Sequence, residues 1–306
     1  MYDLIGDIHG YATELKLLLQ KLGYNREEAT YRHPDGRKII FVGDYIDRGP
    51  SIREVLQIVK GMTDTGEAIA LMGNHEYNAL AYAHQKDGNY LRKHNDTHFN
   101  QHKATLEQFA GYPEEWEDYK KWFYTLPIFI EQDGVQAVHA CWNQLHINWL
   151  REHGYNTMTA ELLEAAHIKG SESYVVINET LKGVEIKIPE EYKWPDKEGH
   201  MRTENRYKWW IDPKTTTYEH CLFNCPPDLK DLKVAGDIKI EFYPEDAPPV
   251  FFGHYWLEDE LPIVQKHNAV CLDYSIAKTG IVSKLMAYRW SGEERLVKEN
   301  FVFVGR

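Results

Sequence analysis

Residues 38–50 read KIIFVGDYIDRGP. The apolar run Ile39-Ile40-Phe41-Val42 has the length of a strand, and Gly43-Asp44 ends it. The same figure occurs on either side. Tyr2 to Ile5 predicts a short strand ending in Gly6-Asp7, and Glu67 to Met72 predicts a third ending in Gly73-Asn74-His75. Between them, Leu15, Leu18, Leu19 and Leu22 recur at helical spacing, with Gly23 placed as a C-cap. Ile52, Val55, Leu56 and Val59 predict the next helix in the same way. Strands alternating with helices imply right-handed crossovers and a largely parallel sheet. Ligands of such sheets bind outside the carboxyl ends of the strands. All three strand ends carry polar, metal-competent side chains.

Further along, residues 79–124 read as helical, polar and aromatic, and Val135 to His139 as another strand. Strands return at Pro249–Phe252, Ala269–Leu272, Val282–Trp290 and Phe301–Val304. Residues 143–233 have no sheet period and are rich in Trp, Tyr, Lys and Glu. The expectation is a single domain over 1–306, with an insertion or cap at about 145–235.

The chain has 306 residues, and 35 basic against 47 acidic side chains leave a formal charge of −12. That balance argues against a general nucleic-acid coat, which needs basic stripes to neutralise phosphates. An acidic protein with anionic substrates needs a local cation, and bound metal supplies one. Hydrophobic residues at 43% and charged residues at 27% are globular usage and argue against disorder. No apolar run approaches the roughly 18 residues of a membrane span, and MYDLIGDIHG lacks the pattern of a signal peptide. The expected location is therefore cytoplasmic, with no membrane partner and with Cys141, Cys221, Cys225 and Cys271 reduced. Cys221 and Cys225 beside His220 lack a second ligand pair, so they read as a loop rather than a zinc knuckle.

Three blocks carry the chemistry: Gly6-Asp7-Ile8-His9-Gly10, Gly43-Asp44-Tyr45-Ile46-Asp47-Arg48-Gly49 and Gly73-Asn74-His75-Glu76. His139 and Gly253-His254 follow at later strand ends. Mixed Asp, Asn and His donors suit Mn²⁺, Fe or Zn²⁺, and the lack of cysteine argues against a closed structural zinc site. Glycine before a ligand lets the backbone turn sharply and approach an ion closely. One carboxylate can bridge two cations about 3.5–4 Å apart, which activates a shared water and clamps phosphate oxygens. Such chemistry also needs a proton donor and a guanidinium, and His75 and Arg48 are placed in the motifs to supply them.

The set GDIHG, GDYIDRG, GNHE, strand-end His and late GH resembles the phosphoprotein-phosphatase branch of the calcineurin-like metallophosphoesterases. Within it, the chain is most similar to bacterial symmetrical diadenosine tetraphosphatases and to the phosphatase module of bacterial polynucleotide kinase-phosphatase. His33-Pro34-Asp35-Gly36-Arg37 is similar to the latter group. The resemblance implies an α/β fold, a four-layer α/β/β/α sandwich with metals at the strand ends. It implies two divalent ions, Mn²⁺ before Fe or Zn²⁺, with Asp7 and His9 on the first, Asp44 bridging, and Asn74, His139 and His254 on the second. His75 would be the general acid oriented by Asp47, Arg48 would bind the substrate phosphate, and a metal-bridging hydroxide would attack phosphorus in line. Relatives follow the strand-end His with Gly-Gly, whereas this chain has Ala140-Cys141-Trp142. The counterpart of a second phosphate-binding arginine is open: Arg202 and Arg206 are candidates, with Lys182 a weaker third.

Simpler readings stand beside these. Asp47 and Arg48 can form a mutual surface ion pair, and His75 can be a seventh ligand. Glu76 reads as a structural partner at the turn rather than a base. His94, His98 and His102 fall at i, i+4 and i+8, a solvated or substrate-facing helix face more than a third metal site. Tyr192, Trp194, Tyr207, Trp209 and Trp210 can stack a nucleobase or form the cap's aromatic core. The expected substrate is a nucleotide, dinucleoside polyphosphate or polynucleotide-end phosphate. A serine/threonine protein phosphatase is the alternative, and a non-catalytic scaffold is a distant third. No obligate protein partner is evident.

Overall fold

The computed structural model describes residues 1–28, 30–195, 201–236 and 240–306. Its opening repeats the sequence pattern: β1 (Tyr2–Ile5), α1 (Ala12–Leu22), β2 (Lys38–Phe41), α2 (Ile52–Asp64), β3 (Ala68–Ala70) and α3 (Asn74–Ala83). Leu15, Leu18, Leu19 and Leu22 are the buried stripe of α1, and Gly23 closes the helix at φ 92°. Two helices follow, α4 (Asp96–Phe109) and α5 (Pro113–Phe123), then the hairpin β4 (Phe129–Gln132) and β5 (Val135–Val138). Next come α6 (Gln144–Glu152), α7 (Ala160–Ala165) and α8 (Glu172–Lys182). The chain ends in β6 (Val250–Phe252), β7 (Ala269–Cys271), β8 (Asp273–Tyr274), β9 (Lys284–Trp290) and β10 (Phe301–Gly305).

Two sheets result. In the first, β2 pairs parallel with β1 and with β3, while β9 runs antiparallel to β1, β8 and β10. In the second, β6 pairs parallel with β5 and β7, and β4 closes the edge antiparallel to β5. Both sheets are therefore mixed, where strand–helix alternation alone predicts a largely parallel one. In the first sheet the parallel strands are joined by the crossover helices α1 and α2, whereas strands joined without one, β4 to β5 and β9 to β10, pair antiparallel.

Strand alternation builds the layers. Leu4, Ile40, Val42, Phe251, Val270 and Tyr288 pack together in the core between the sheets. Ile5, Ile39 and Phe41, on the opposite faces of the same strands, join the core that includes the leucines of α1. The apolar-looking β1 also buries Asp3, which accepts hydrogen bonds from Arg37 Nη2 at 2.9 Å and Arg289 Nε at 3.1 Å. Arg37, in the His33–Arg37 stretch, thus ties β1 to β9, because its Nη2 also donates to Trp290 O at 2.9 Å.

The described residues of the 143–236 segment pack on the second sheet. Trp209, fully buried, lies 4.8 Å from the Phe252 ring and donates to Ala140 O at 2.9 Å. Ala140 N and Cys141 N both donate to Thr180 O in α8. The residues after His139 that depart from the Gly-Gly pattern are therefore where this segment is fastened.

Candidate functional site

The carboxyl ends of β1, β2, β5 and β6 and the N-terminus of α3 meet at one place. The backbone there is unusual. His9, Asp44, Asp47, Arg48 and His254 all have positive φ, between 45° and 74°. Non-glycine residues pay a conformational cost for this, and such costs persist where the surrounding structure holds them. Close approach explains two of the glycines. A Cβ on Gly43, whose φ is 108°, would lie 2.6 Å from Gly73 Cα and 2.8 Å from His139 Nδ1. A Cβ on Gly253 would lie 2.0 Å from Asp7 Oδ1.

Asp44 is central. His9 Nε2 lies 3.6 Å and His75 Nε2 3.9 Å from its Oδ2, and His139 Nε2 lies 3.5 Å from its Oδ1. Ligand atoms of His9, Asp44 and His75 converge within 4.8 Å of one another, as do those of Asp7, Asp44 and His139. Asn74 Oδ1 sits 3.0 Å from His139 Nε2 and 2.7 Å from His254 Nδ1. His254 N donates to Asp7 Oδ2 at 3.1 Å. The six residues expected as ligands, Asp7, His9, Asp44, Asn74, His139 and His254, are thus together and buried.

These donors fit divalent cations. His9 Nδ1 lies 2.9 Å from Ile46 O, and His139 Nδ1 lies 2.8 Å from Val42 O. A ring N–H donating to each carbonyl leaves Nε2 as a lone pair aimed into the site, an arrangement common among metal-binding histidines. Nε2 of His9 and Nε2 of His254 are buried with no hydrogen-bond partner. Burial, and then His75, pushes His9 down to about 3. Burial and then Arg206 hold His254 well below the ordinary range. Both are neutral, the form that binds metal. Burial, followed by the charges of Asp273 and Asp44, pushes Asp7 well above the carboxylate range. Burial opposes ionisation of Asp44 too, but His139, His75 and His9 hold it below that range. Buried carboxylates facing one another without a counter-charge are costly, and cations remove the cost.

Glu76 holds the loop that carries Asp44. Its carboxylate accepts from Gly73 N at 3.0 Å, Asp44 N at 2.9 Å and Tyr45 N at 2.8 Å. It is fully buried and, by burial and then Asp44, pushed up to about 8. This is the structural partner that the turn position implied.

His75 Nδ1 lies 2.5 Å from Asp47 Oδ2. Burial lowers the His75 pKa, yet Asp44 and then Asp47 raise it above the ordinary histidine value. Asp47 makes no ion pair with Arg48. Its Oδ1 accepts from Thr105 Oγ1 at 2.6 Å and lies 2.7 Å from His102 Nδ1, both from α4. Burial works against the Asp47 charge, but the bonds to His102 and His75 hold it below the carboxylate range. His102 is therefore a buried neighbour of the site, not part of a shared solvent face. His94 precedes α4 and lies 2.7 Å from Tyr82 O, and His98 Nδ1 lies 2.7 Å from Lys93 O. Arg48 is exposed, with its guanidinium 4.3 Å over the Trp256 ring, which itself neighbours His9.

A cavity of about 520 Å³ opens beside Asn74 and His254. Arg206 lines it, as do Lys182 and Arg92. Arg92 lay in a stretch whose sequence showed only polar and aromatic helix, and its place here was not foreseen. Arg202 is exposed on the short strand Met201–Arg202, outside that lining. Among the described residues, the cap aromatics follow the core reading rather than the stacking one. Tyr207, Trp209 and Trp210 are buried in the core, Tyr192 packs partly buried against it, and the Trp194 side chain lies outside the described residues.

A profile of the calcineurin-like phosphoesterases matches residues 2–255. The chain belongs to that family. Among curated relatives, a bis(5′-nucleosyl)-tetraphosphatase PrpE [asymmetrical] of Halalkalibacterium halodurans is 47% identical over 74 residues, 24% of this chain and 30% of that one. Its Bacillus subtilis namesake is 43% identical over 74 residues, again 24% and 30%. The chain thus spans about a third of the length of these relatives. Both names specify the asymmetrical type, where the motifs alone suggested the symmetrical one. A solved protein serine/threonine phosphatase from Saccharomyces cerevisiae matches with TM-score 0.50 at 12% identity, over 99% of this chain and 78% of that one. That likeness is one of fold. Among the described residues, no helix is long and apolar enough to cross a membrane.

Proposed function

We propose, from membership of this family and the geometry of its strand ends, that the chain hydrolyses phosphoesters with two divalent cations, Mn²⁺ before Fe or Zn²⁺. Asp7 and His9 would hold one ion, Asn74, His139 and His254 the other, and Asp44 would bridge them. The observation that carries the reading is Asp44, shared by two groups of ligand atoms that each converge within 4.8 Å. Such ions lower the pKa of water and neutralise phosphate oxygens.

The chain's own groups do the rest. Glu76 fixes the Asp44 backbone, so the bridging carboxylate is set before substrate arrives. His75, raised by Asp44 and Asp47, keeps a proton for the leaving oxygen. Asp47 accepts from Nδ1, so the Nε2 edge of the ring faces the site, as its 3.9 Å approach to Asp44 requires. Arg48 and Arg206 would bind the phosphate's remaining charge. Residues 145–235 act as a cap on one domain spanning 1–306.

Nucleotide, dinucleoside polyphosphate or polynucleotide-end phosphates are the proposed substrates, supported by the curated relatives' names. The serine/threonine phosphatase alternative draws support from a cavity lined by Arg92, Lys182 and Arg206, with Tyr174 as its one tyrosine, tryptophan or phenylalanine among the described residues. A substrate panel with added Mn²⁺ tests both. It would span p-nitrophenyl phosphate, its bis ester, diadenosine tetraphosphate, a 2′,3′-cyclic nucleotide, an end-phosphorylated oligonucleotide and a phosphopeptide. Turnover of nucleotides is expected; turnover of the phosphopeptide alone would reverse the order. In ¹⁸O water the label is expected in phosphate, and label in the alcohol would contradict attack at phosphorus.

A further inference from the structure

Three cationic side chains converge on the cavity beside Asn74 and His254, from three different elements. Arg92 follows α3, Lys182 ends α8, and Arg206 ends the short strand Glu204–Arg206. Among the described residues none of the three forms an ion pair with a carboxylate. Their bonds go instead to neutral amides. Arg92 donates to Asn78 Oδ1 at 3.0 Å and Gln101 Oε1 at 2.5 Å, and Lys182 donates to Asn178 Oδ1 at 2.8 Å. Amide oxygens orient a cation without cancelling its charge. Asn78 stands one turn from Asn74 on α3, and Asn178 one turn from Lys182 on α8, so the orienting groups share faces with the site and with the cation.

The acids on the same cavity do little to neutralise it. Glu185 is exposed, and burial pushes Glu179 up to about 7. Clustered unpaired cations are costly in an isolated protein, all the more where Lys182 is lowered to about 8 by burial and then by Arg92. In a chain of net charge −12, they mark a local site for an anion. The volume of about 520 Å³ falls within the usual range for small-molecule pockets, roughly 300–1,000 Å³, and leaves room beyond a single phosphate.

We propose that Arg92 and Lys182 form a second phosphate subsite beside Arg206, one that receives the phosphate next to the one being cleaved. This rests on the phosphoesterase reading above and narrows it: the preferred substrate carries at least two phosphates. Arg92 supplies planar N–H donors to that group, and Lys182 a point charge.

The test is calorimetric binding to the metal-loaded full chain, with adenosine 5′-monophosphate, adenosine β,γ-methylene triphosphate and a 5′-phosphorylated thymidine dinucleotide as probes. The wild type should prefer at least one of the two probes with more than one phosphate over the monophosphate by about tenfold or more, roughly 1.4 kcal/mol. Preference for the triphosphate assigns an anhydride chain; preference for the dinucleotide assigns a nucleic-acid end. Lys182→Met, which removes the ammonium lying 4.9 Å over the Tyr77 ring, and Arg92→Gln should each remove most of that preference while weakening the monophosphate at most about threefold. A wild type without preference, a preference that survives both variants, or equal weakening of all probes overturns the subsite. Failure of the folded, metal-loaded wild type to turn over any ester would sink the phosphoesterase reading without altering this binding comparison.

Discussion

The strand-end loops and the wall contributed by residues 143–236 face the same cavity but are built on opposite principles. In the loops the backbone does the positioning. His9, Asp44, Asp47, Arg48 and His254 hold positive φ, Gly43 and Gly253 admit no side chain, and Glu76 gathers three amides. In the wall, ordinary helix and strand residues such as Lys182 and Arg206 reach inward on long side chains. The first arrangement tolerates almost no change and suits chemistry. The second can vary residue by residue and suits the choice of substrate.

If that division is right, loop substitutions should be severe and wall substitutions selective. The largest effect is expected from Asp44→Asn, with loss of turnover on every substrate in steady-state assays; residual activity within tenfold of wild type would break the comparison at its centre. His75→Asn should next slow esters with poor leaving groups by about 10²–10⁴-fold, and p-nitrophenyl phosphate much less. Equal slowing of both would remove His75 from proton donation. Glu76→Ala leaves three buried amides without an acceptor, so chemical denaturation should show a loss of about 3 kcal/mol or more. Glu76→Gln, which keeps two of the acceptor sites, should lose less.

Smaller effects sharpen the boundary. His102→Ala removes one of two α4 bonds that hold Asp47, and Thr105 remains. About a tenfold fall in kcat on poor leaving groups is expected, with KM nearly constant and partial rescue in His102→Asn. A matched fall on p-nitrophenyl phosphate would make the role structural only. Lys182 faces Arg92, Glu185, Glu179 and the Tyr77 ring, and burial and then Arg92 lower its pKa to about 8. Its charge is present below that value and lost above it. The preference for a second phosphate should therefore shrink several-fold from pH 7 to pH 9.5, and Lys182→Met should flatten the profile.

What the sequence revealed follows the same division. The three Gly-Asp and Gly-Asn blocks were legible because a ligand at a strand end must follow its strand directly, and the apolar run announces the strand. His139 and His254 were legible for the same reason. His102 was not, because its partner Asp47 is 55 residues away and its spacing from His94 and His98 suggested a helix that begins only at Asp96. Arg92 sits in a stretch read only as polar, aromatic helix, so nothing local set it apart. Tyr207, Trp209 and Trp210 were ambiguous because a stacking platform and an aromatic core have the same composition; burial decides, and here it favours the core. Arg206 and Arg202 were equal candidates in sequence, and the short strand pairing of Arg206 with Glu185 put only the former at the cavity.

Metal content bears on all of this most directly. Mass-spectrometric counting of transition ions in protein reconstituted with Mn²⁺ and then desalted should give two per chain for the wild type and fewer than one for Asp44→Asn. A folded wild type that retains none, or an Asp44→Asn variant that keeps both, would contradict a dinuclear centre built on one shared carboxylate.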